Sequence, residues 1–205
     1  MIKNIVFDFG DVFINLDKEA INRVLIEKSI ESLPDNLIST CMSFEKGIHN
    51  SEKFINRFVD RYYPKFSREE FVDGWNSILL DFPLYRLDFL KGLQDAGLYR
   101  LFLLSNTNDL HIKWIQNDWG LELYEEFKSC FENFYLSHEI GMRKPNSDIY
   151  EFVLNENKLH AEETFFIDDT KENTDAASAL GIKIWNINPK TEDVIDLLTR
   201  KELNR

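Results

Sequence analysis

The sequence predicts an α/β protein in which a parallel sheet, covered by helices on both faces, is interrupted after its first strand by a helical insertion. Two observations predict it. Short apolar runs without alternation, each ending in polar residues, recur along the chain between helical patterns, as expected of strands buried on both faces. Between about residues 18 and 82 that alternation stops and only helical spacing remains.

Ile2 to Phe7 is the first such run, and it opens into Asp8-Phe9-Gly10-Asp11, a tight loop. In the insertion, Ala20, Ile21, Val24, Leu25 and Lys28 mark one amphipathic helix and Phe54, Ile55, Phe58, Val59 and Tyr62 another. Ser67 and Glu70 form a capping box that starts a third helix, through Phe71, Trp75 and Leu79. After Pro83, a helix through Leu87, Leu90, Leu93 and Ala96 is closed by Gly97. Leu101 to Leu104 is a buried strand ending at Ser105, followed by a helix over Leu110 to Gln116. Phe134 to Leu136 is a weaker strand, and Ile149, Val153 and Leu154 lie on the next helix. Thr164 to Ile167 is a buried strand ending at Asp168 and Asp169. A helix closes over Ala176 to Leu180 before Gly181, Ile182 to Ile187 forms the last strand, and a terminal helix is expected from near Thr191. The expected division is a sheet domain over 1–14 and 86–205 with a helical cap over 15–85.

The chain has 205 residues, of which 43% are hydrophobic, enough for a substantial core, so its seventeen Phe read as core material. A formal net charge of -12 disfavours nucleic acid and anionic membrane as partners. An anionic small molecule then needs a locally positive pocket made by a metal, a lysine or helix N-termini. The sequence opens directly on a strand with no charged-then-apolar leader, and no apolar run approaches membrane-spanning length. Cys41 and Cys130 lack metal-ligand spacing and read as free thiols, so a reducing, cytoplasmic setting is expected.

Asp8, Ser105 with Asn106, and Asp168 with Asp169 all fall at the C-terminal ends of expected strands, the edge where open parallel sheets bind ligands. Taken singly, each reads equally well as a helix cap or turn residue. Together they gather three carboxylates and a hydroxyl on one edge. Converging carboxylates need a cation to stay ionised, and an all-oxygen donor set favours Mg²⁺. No His/Cys spacing suits zinc.

The segments DFGDVF (Asp8 to Phe13), LLSNTN (Leu103 to Asn108), GMRKP (Gly141 to Pro145) and FFIDDTKEN (Phe165 to Asn173) resemble, in order, the four motifs of the haloacid dehalogenase-like hydrolases. The likeness spans nearly the whole chain and is greatest to the sugar-phosphate phosphatase branch, whose first motif reads Asp-x-Gly-Asn. It implies a Rossmann-like core with a helical cap, and Mg²⁺-dependent hydrolysis of small phosphorylated metabolites, sugar phosphates such as glucose 1-phosphate among them. By that resemblance Asp8 is the nucleophile and forms an aspartyl phosphate. Ser105 and the backbone amide of Asn106 bind the transferring phosphoryl oxygens, and Lys144 neutralises their charge. Asp169 and Asp168 hold Mg²⁺ together with Asp8 and the carbonyl of Gly10, while Asn173 supports the acidic loop. Pro145 is expected at the start of a helix whose N-terminus favours anions.

One position departs from the family pattern. Most of its phosphatases carry a general acid two residues after the nucleophile, and here that residue is Gly10, with Asp11 following. Asp11 reads either as a turn residue or as a displaced acid. Losing such an acid costs about 10²–10⁴-fold in rate and weighs least on easily expelled leaving groups, which favours sugar 1-phosphates. Two other readings stand beside the phosphatase: a metal-free 2-haloacid dehalogenase, and a module that binds a phosphorylated ligand with little turnover. His111 is expected to pack or cap more than to reach the pocket. Phe44, Glu45, Lys46, His49, Trp75 and Asn76 are candidates for facing the pocket from the cap, and Arg143 for solvent.

Overall fold

Strand β1 (Asn4–Phe7) is the middle of a five-stranded, all-parallel sheet ordered β3-β2-β1-β4-β5, with β2 (Arg100–Ser105), β3 (Asn133–Leu136), β4 (Thr164–Asp168) and β5 (Lys183–Asn186). The structure, a computed structural model, describes every residue except 32, 63, 202, 204 and 205, so the last two positions of the expected 86–205 range lie outside the described residues. No helix among the described residues is long and apolar enough to cross a membrane.

Successive strand residues point to opposite faces, which explains why the strand sequences are apolar throughout. Ile5, Phe7, Leu101, Leu103, Phe165 and Ile167 pack on one face against α5 (Leu84–Ala96), α6 (Asp109–Trp119) and α7 (Leu121–Ser129). Val6, Phe102, Leu104 and Phe166 pack on the other, against α9 (Ser147–Glu156) and α10 (Lys171–Ala179). Phe9, Phe13, Phe127 and Phe131 cluster edge-to-face and stacked beneath the loop after β1, so these rings are structural.

Between β1 and α5 the chain forms α1 (Ala20–Glu27), α2 (Asp35–Glu45), α3 (Ser51–Tyr62) and α4 (Arg68–Asn76). These helices share a separate core around Phe44, Phe54, Phe58, Phe71 and Trp75. The capping box at Ser67 and Glu70 is formed, and Gly97 closes α5 in the left-handed conformation. The two chain segments joining helices to sheet run side by side: Asn15 N donates to Asp81 O, Leu80 N to Asn15 O, and Asp17 N to Ile78 O at 2.8–3.0 Å. Arg86 clamps this joint, donating to Phe13 O at 3.0 Å and Asn15 Oδ1 at 2.9 Å while pairing with Asp193 at 2.9 Å.

Several elements depart from expectation. Among the described residues the expected terminal helix near Thr191 is a 3₁₀ helix over Val194–Thr199. Pro145 precedes α9, whose first residue is Ser147, so Pro145 lies just outside the helix and Asn146 takes the cap position. Helices α2, α7 and α8 (Ser137–Ile140) add to the expected set.

His111 joins the insertion to the sheet domain. Its ring stacks on Trp75 of α4 at 5.4 Å. Nε2 faces Trp75 O at 3.3 Å and Nδ1 faces Asn108 Nδ2 at 3.1 Å. A carbonyl only accepts, so the network assigns the proton to Nε2, leaving Nδ1 to accept from Asn108. Burial holds the ring neutral, lowering its pKa to about 4. Above pH 6.5 the ring is neutral folded and unfolded alike. As pH falls towards 4, the unfolded chain takes up a proton that the folded one refuses, so stability is lost across that window by about 3 kcal/mol. Denaturant midpoints of wild type and His111→Gln between pH 7 and 4 should diverge by that amount, the wild type losing more. Parallel curves would contradict it.

Candidate active site

The register of the sheet sets the site. Phe7 lies opposite Leu103 on one side and Ile167 on the other, so the next residues, Asp8, Leu104 and Asp168, stand level on three adjacent strands. The loop after α8 brings Lys144 to that level. Its ammonium is fully buried and donates to Asp8 Oδ1 at 2.8 Å, Asp168 Oδ2 at 2.7 Å and Leu104 O at 2.7 Å. Three protons meet three acceptors, as a buried ammonium requires. The Phe166 ring lies 5.3 Å from the nitrogen.

The backbone of Lys144 is fixed in turn. Its N–H donates to Asn106 Oδ1 and its carbonyl accepts from Asn106 Nδ2, both at 2.9 Å. Ser105, at the end of β2 and next to Asn106 in the chain, is buried. Arg143 is not left to solvent: it pairs with Glu45 at the C-terminal end of α2 and donates to Lys144 O at 3.0 Å.

Asp168 and Asp169 have different environments, which the sequence could not separate. The carboxylate of Asp168 is fully buried. It accepts from Lys144, from Thr170 N at 2.8 Å and from Asn173 Nδ2 at 3.1 and 3.0 Å. Asn173 therefore props the acidic loop, and Asn186 of β5 holds its backbone by donating to the carbonyls of Asp168 and Asp169. Asp169 instead faces the cleft and pairs with Lys18.

Oxygens of Asp8, Asp168 and Asp169 lie within 4.8 Å of one another. The Asp168 oxygens already accept from Lys144, Thr170 and Asn173, while Asp8 and Asp169 line the cleft, each paired with one lysine. Burial raises the Asp8 carboxyl to about 7; Lys144 opposes this, and Asp168 and Asp169 reinforce it by repulsion. Asp169 is also raised, first by burial, with Lys18 opposing. Burial works against the Lys144 ammonium too, but Asp168 and Asp8 outweigh it and its pKa rises. With all four ionised, Asp8, Asp11, Asp168 and Asp169 facing Lys18 and Lys144 would leave two negative charges, which a divalent cation would balance while favouring the ionised forms. This oxygen donor set suits Mg²⁺.

Asp11 has a role that the sequence left open. It adopts φ 55°, its Oδ1 accepts from Leu16 N at 3.0 Å, and its Oδ2 pairs with Lys18 at 3.1 Å. A Cβ on Gly10 would lie 2.6 Å from Leu16 Cδ1, so Leu16 fills the space above that residue. Leu16 and Lys18 line the cleft, and nothing in the sequence marked either. Of the six cap candidates, Phe44 and Trp75 are core residues and Glu45 reaches the site's edge through Arg143. The cleft, of about 390 Å³, has a lining of mostly polar and charged side chains; among the described residues its apolar members are Leu16 and Pro145.

A family model described as haloacid dehalogenase-like hydrolase matches residues 5–187. A D-ribitol-5-phosphate phosphatase of Bacteroides thetaiotaomicron is 27% identical over 190 residues, covering 90% of this chain and 91% of the relative. A sesquiterpene phosphatase of Aspergillus oryzae is 44% identical over 93 residues, 45% of this chain and 42% of the relative. Among solved structures, a mutant HAD family enzyme of Bacteroides thetaiotaomicron, in complex with magnesium and inorganic phosphate, matches with a TM-score of 0.82. It is 32% identical, and the match covers 98% of this chain and 100% of that one.

Removing Lys144 would leave Asp8 and Asp168 facing each other without a counter-ion. Lys144→Met, measured by denaturant unfolding in chelator, should lose about 3–5 kcal/mol. A loss below 1 kcal/mol would contradict the buried ion cluster.

Proposed function

The chain belongs to the haloacid dehalogenase-like hydrolases, and from that premise we propose a Mg²⁺-dependent phosphatase acting on small, hydroxyl-rich phosphate monoesters with Asp8 as nucleophile. The observation that carries this reading is the lysine-centred carboxylate cluster at the floor of a polar cleft. A carboxylate beside a buried ammonium can approach a phosphate whose charge is locally neutralised.

An oxygen of Asp8 attacks phosphorus, and the bond from phosphorus to the ester oxygen breaks. Gly10 carries no acid and Asp11 is committed to Leu16 and Lys18, so the leaving oxygen takes its proton from water. Water then attacks the phosphorus of the aspartyl phosphate and passes its proton to the hydroxide left when water protonated the leaving oxygen; the bond to Asp8 breaks, and inorganic phosphate departs. Ser105 and the amide of Asn106 bind the transferring oxygens, and Lys144 balances their charge. Asp8, Asp169 and the carbonyl of Gly10 would hold Mg²⁺, which would supply further charge neutralisation. Residues 15–85 act as a cap that limits water and selects the substrate.

Cleft polarity points to the substrate class. Lys18, Asn106, Arg143, Thr170 and Glu172 offer donors and acceptors for hydroxyl groups. The apolar space inside the insertion, at about 20 Å³, is too small for a hydrocarbon chain. A sugar or sugar-alcohol phosphate therefore suits this cleft better than an isoprenoid phosphate. Among sugar phosphates, anomeric esters such as glucose 1-phosphate suit a site without a resident acid.

Phosphate release should be measured on a panel of sugar 1-phosphates, terminal sugar and pentitol phosphates, and farnesyl phosphate, with Mg²⁺ and with chelator. At least one hydroxylated substrate should exceed farnesyl phosphate by tenfold or more in kcat/KM, only with Mg²⁺, and Asp8→Asn should abolish release. Preference for farnesyl phosphate would overturn the substrate class. Undiminished release by Asp8→Asn would overturn the nucleophile.

A further inference from the structure

Lys18 lies on the segment that carries the chain from the Gly10 loop into α1, beside the bond from Asp17 N to Ile78 O that pairs the two connections to the insertion. Its ammonium contacts Asp169, and Asp11 at 3.1 Å. Both carboxylates raise its pKa against the opposing effect of burial. The cation is therefore held by the carboxylate that faces the cleft, one of the three whose oxygens converge within 4.8 Å.

That placement creates a conflict. A Mg²⁺ ion bound to Asp169 sits about 2.1 Å from its ligand oxygen, which brings it within a few ångströms of the Lys18 ammonium. The Asp169 side chain is only 8% exposed while that of Lys18 is half-exposed, so water screens the repulsion from the lysine's side alone. Asp168 is the less available of the two neighbouring carboxylates, because its oxygens already accept from Lys144, Thr170 and Asn173. Lys18, by contrast, has a place to retreat. Asp11 uses Oδ1 for Leu16 N, which leaves Oδ2 for the lysine.

We propose that Lys18 is a built-in competitor of Mg²⁺, bound to Asp169 in the metal-free protein and displaced onto Asp11 when the metal binds. The inference rests on the Mg²⁺-dependent reading of the site. It gives Asp11 a positioning role as the retained counter-ion. It also makes metal loading felt at the entrance of the helical insertion, because Lys18 sits at the joint between the insertion and the sheet.

The test is calorimetric titration of Mg²⁺ into chelator-stripped wild type, Lys18→Met and Lys18→Arg, without substrate. Lys18→Met should bind Mg²⁺ at least tenfold more tightly than wild type and gain more in melting temperature on loading. Lys18→Arg, which keeps the charge, should stay within threefold of wild type. Hydrogen exchange on the wild-type protein supplies a measurement that needs no variant, and the peptide spanning 15–20 should change its protection when Mg²⁺ is added. Equal or weaker binding by Lys18→Met, or unchanged exchange over 15–20, would overturn the competition while leaving the metal site standing. Absence of Mg²⁺ binding in all three proteins would overturn both.

Discussion

The ammonium of Lys144, fully buried between Asp8, Asp168 and the carbonyl of Leu104, is the contact on which the rest of the site depends. Three strands must be in parallel register for those acceptors to stand at one level, and the loop after α8 must bring in a lysine from outside the sheet. The reciprocal bonds from Asn106 fix that loop, and Asn173 and Thr170 fix the Asp168 carboxylate that anchors the lysine. A buried ammonium with one acceptor missing would be costly. The cluster therefore holds together as a unit, and it keeps a carboxylate, Asp8, pointed into a cleft that charges would otherwise leave.

The same electrostatics ties the metal, the substrate and the departure at Gly10 together. Four carboxylates against two ammonium groups leave a deficit that one divalent cation balances, and a phosphate dianion can then enter a protein whose overall charge is -12. With Leu16 over Gly10 and Asp11 tied to Leu16 N and Lys18, no carboxyl group stands two residues after Asp8. On the proposed mechanism the site forgoes local proton donation and keeps charge stabilisation, the larger contribution in phosphoryl transfer.

Much of this was legible in the sequence because burial leaves a plain mark. Asp8, Ser105 and Asp168 each end an apolar run, and parallel strands put their C-terminal ends on one edge. Contacts made by loops folding back were not legible. Lys18 is one of 24 Lys and Arg residues, and its meeting with Asp169 arises only where the connection to α1 passes over the strand ends. Adjacent Asp168 and Asp169 look equivalent as letters, yet one ends a strand beneath the lysine and the other opens to the cleft. Helix α2 escaped notice because Ser39, Thr40, Cys41 and Ser43 are poor helix formers, so tertiary packing of Leu37 and Phe44 decides its state. Asn186, which secures the acidic loop, reads in sequence only as the polar end of a strand.

The most direct test of the account is to catch Asp8 in the act. Enzyme turning over a reactive phosphate monoester with Mg²⁺ is quenched in acid and reduced with borohydride, which converts an aspartyl phosphate to homoserine, and the peptide carrying residue 8 is weighed. The account predicts the mass of homoserine at position 8, dependent on substrate and Mg²⁺. Steady phosphate release with residue 8 unmodified, or with the label on another residue, would contradict it.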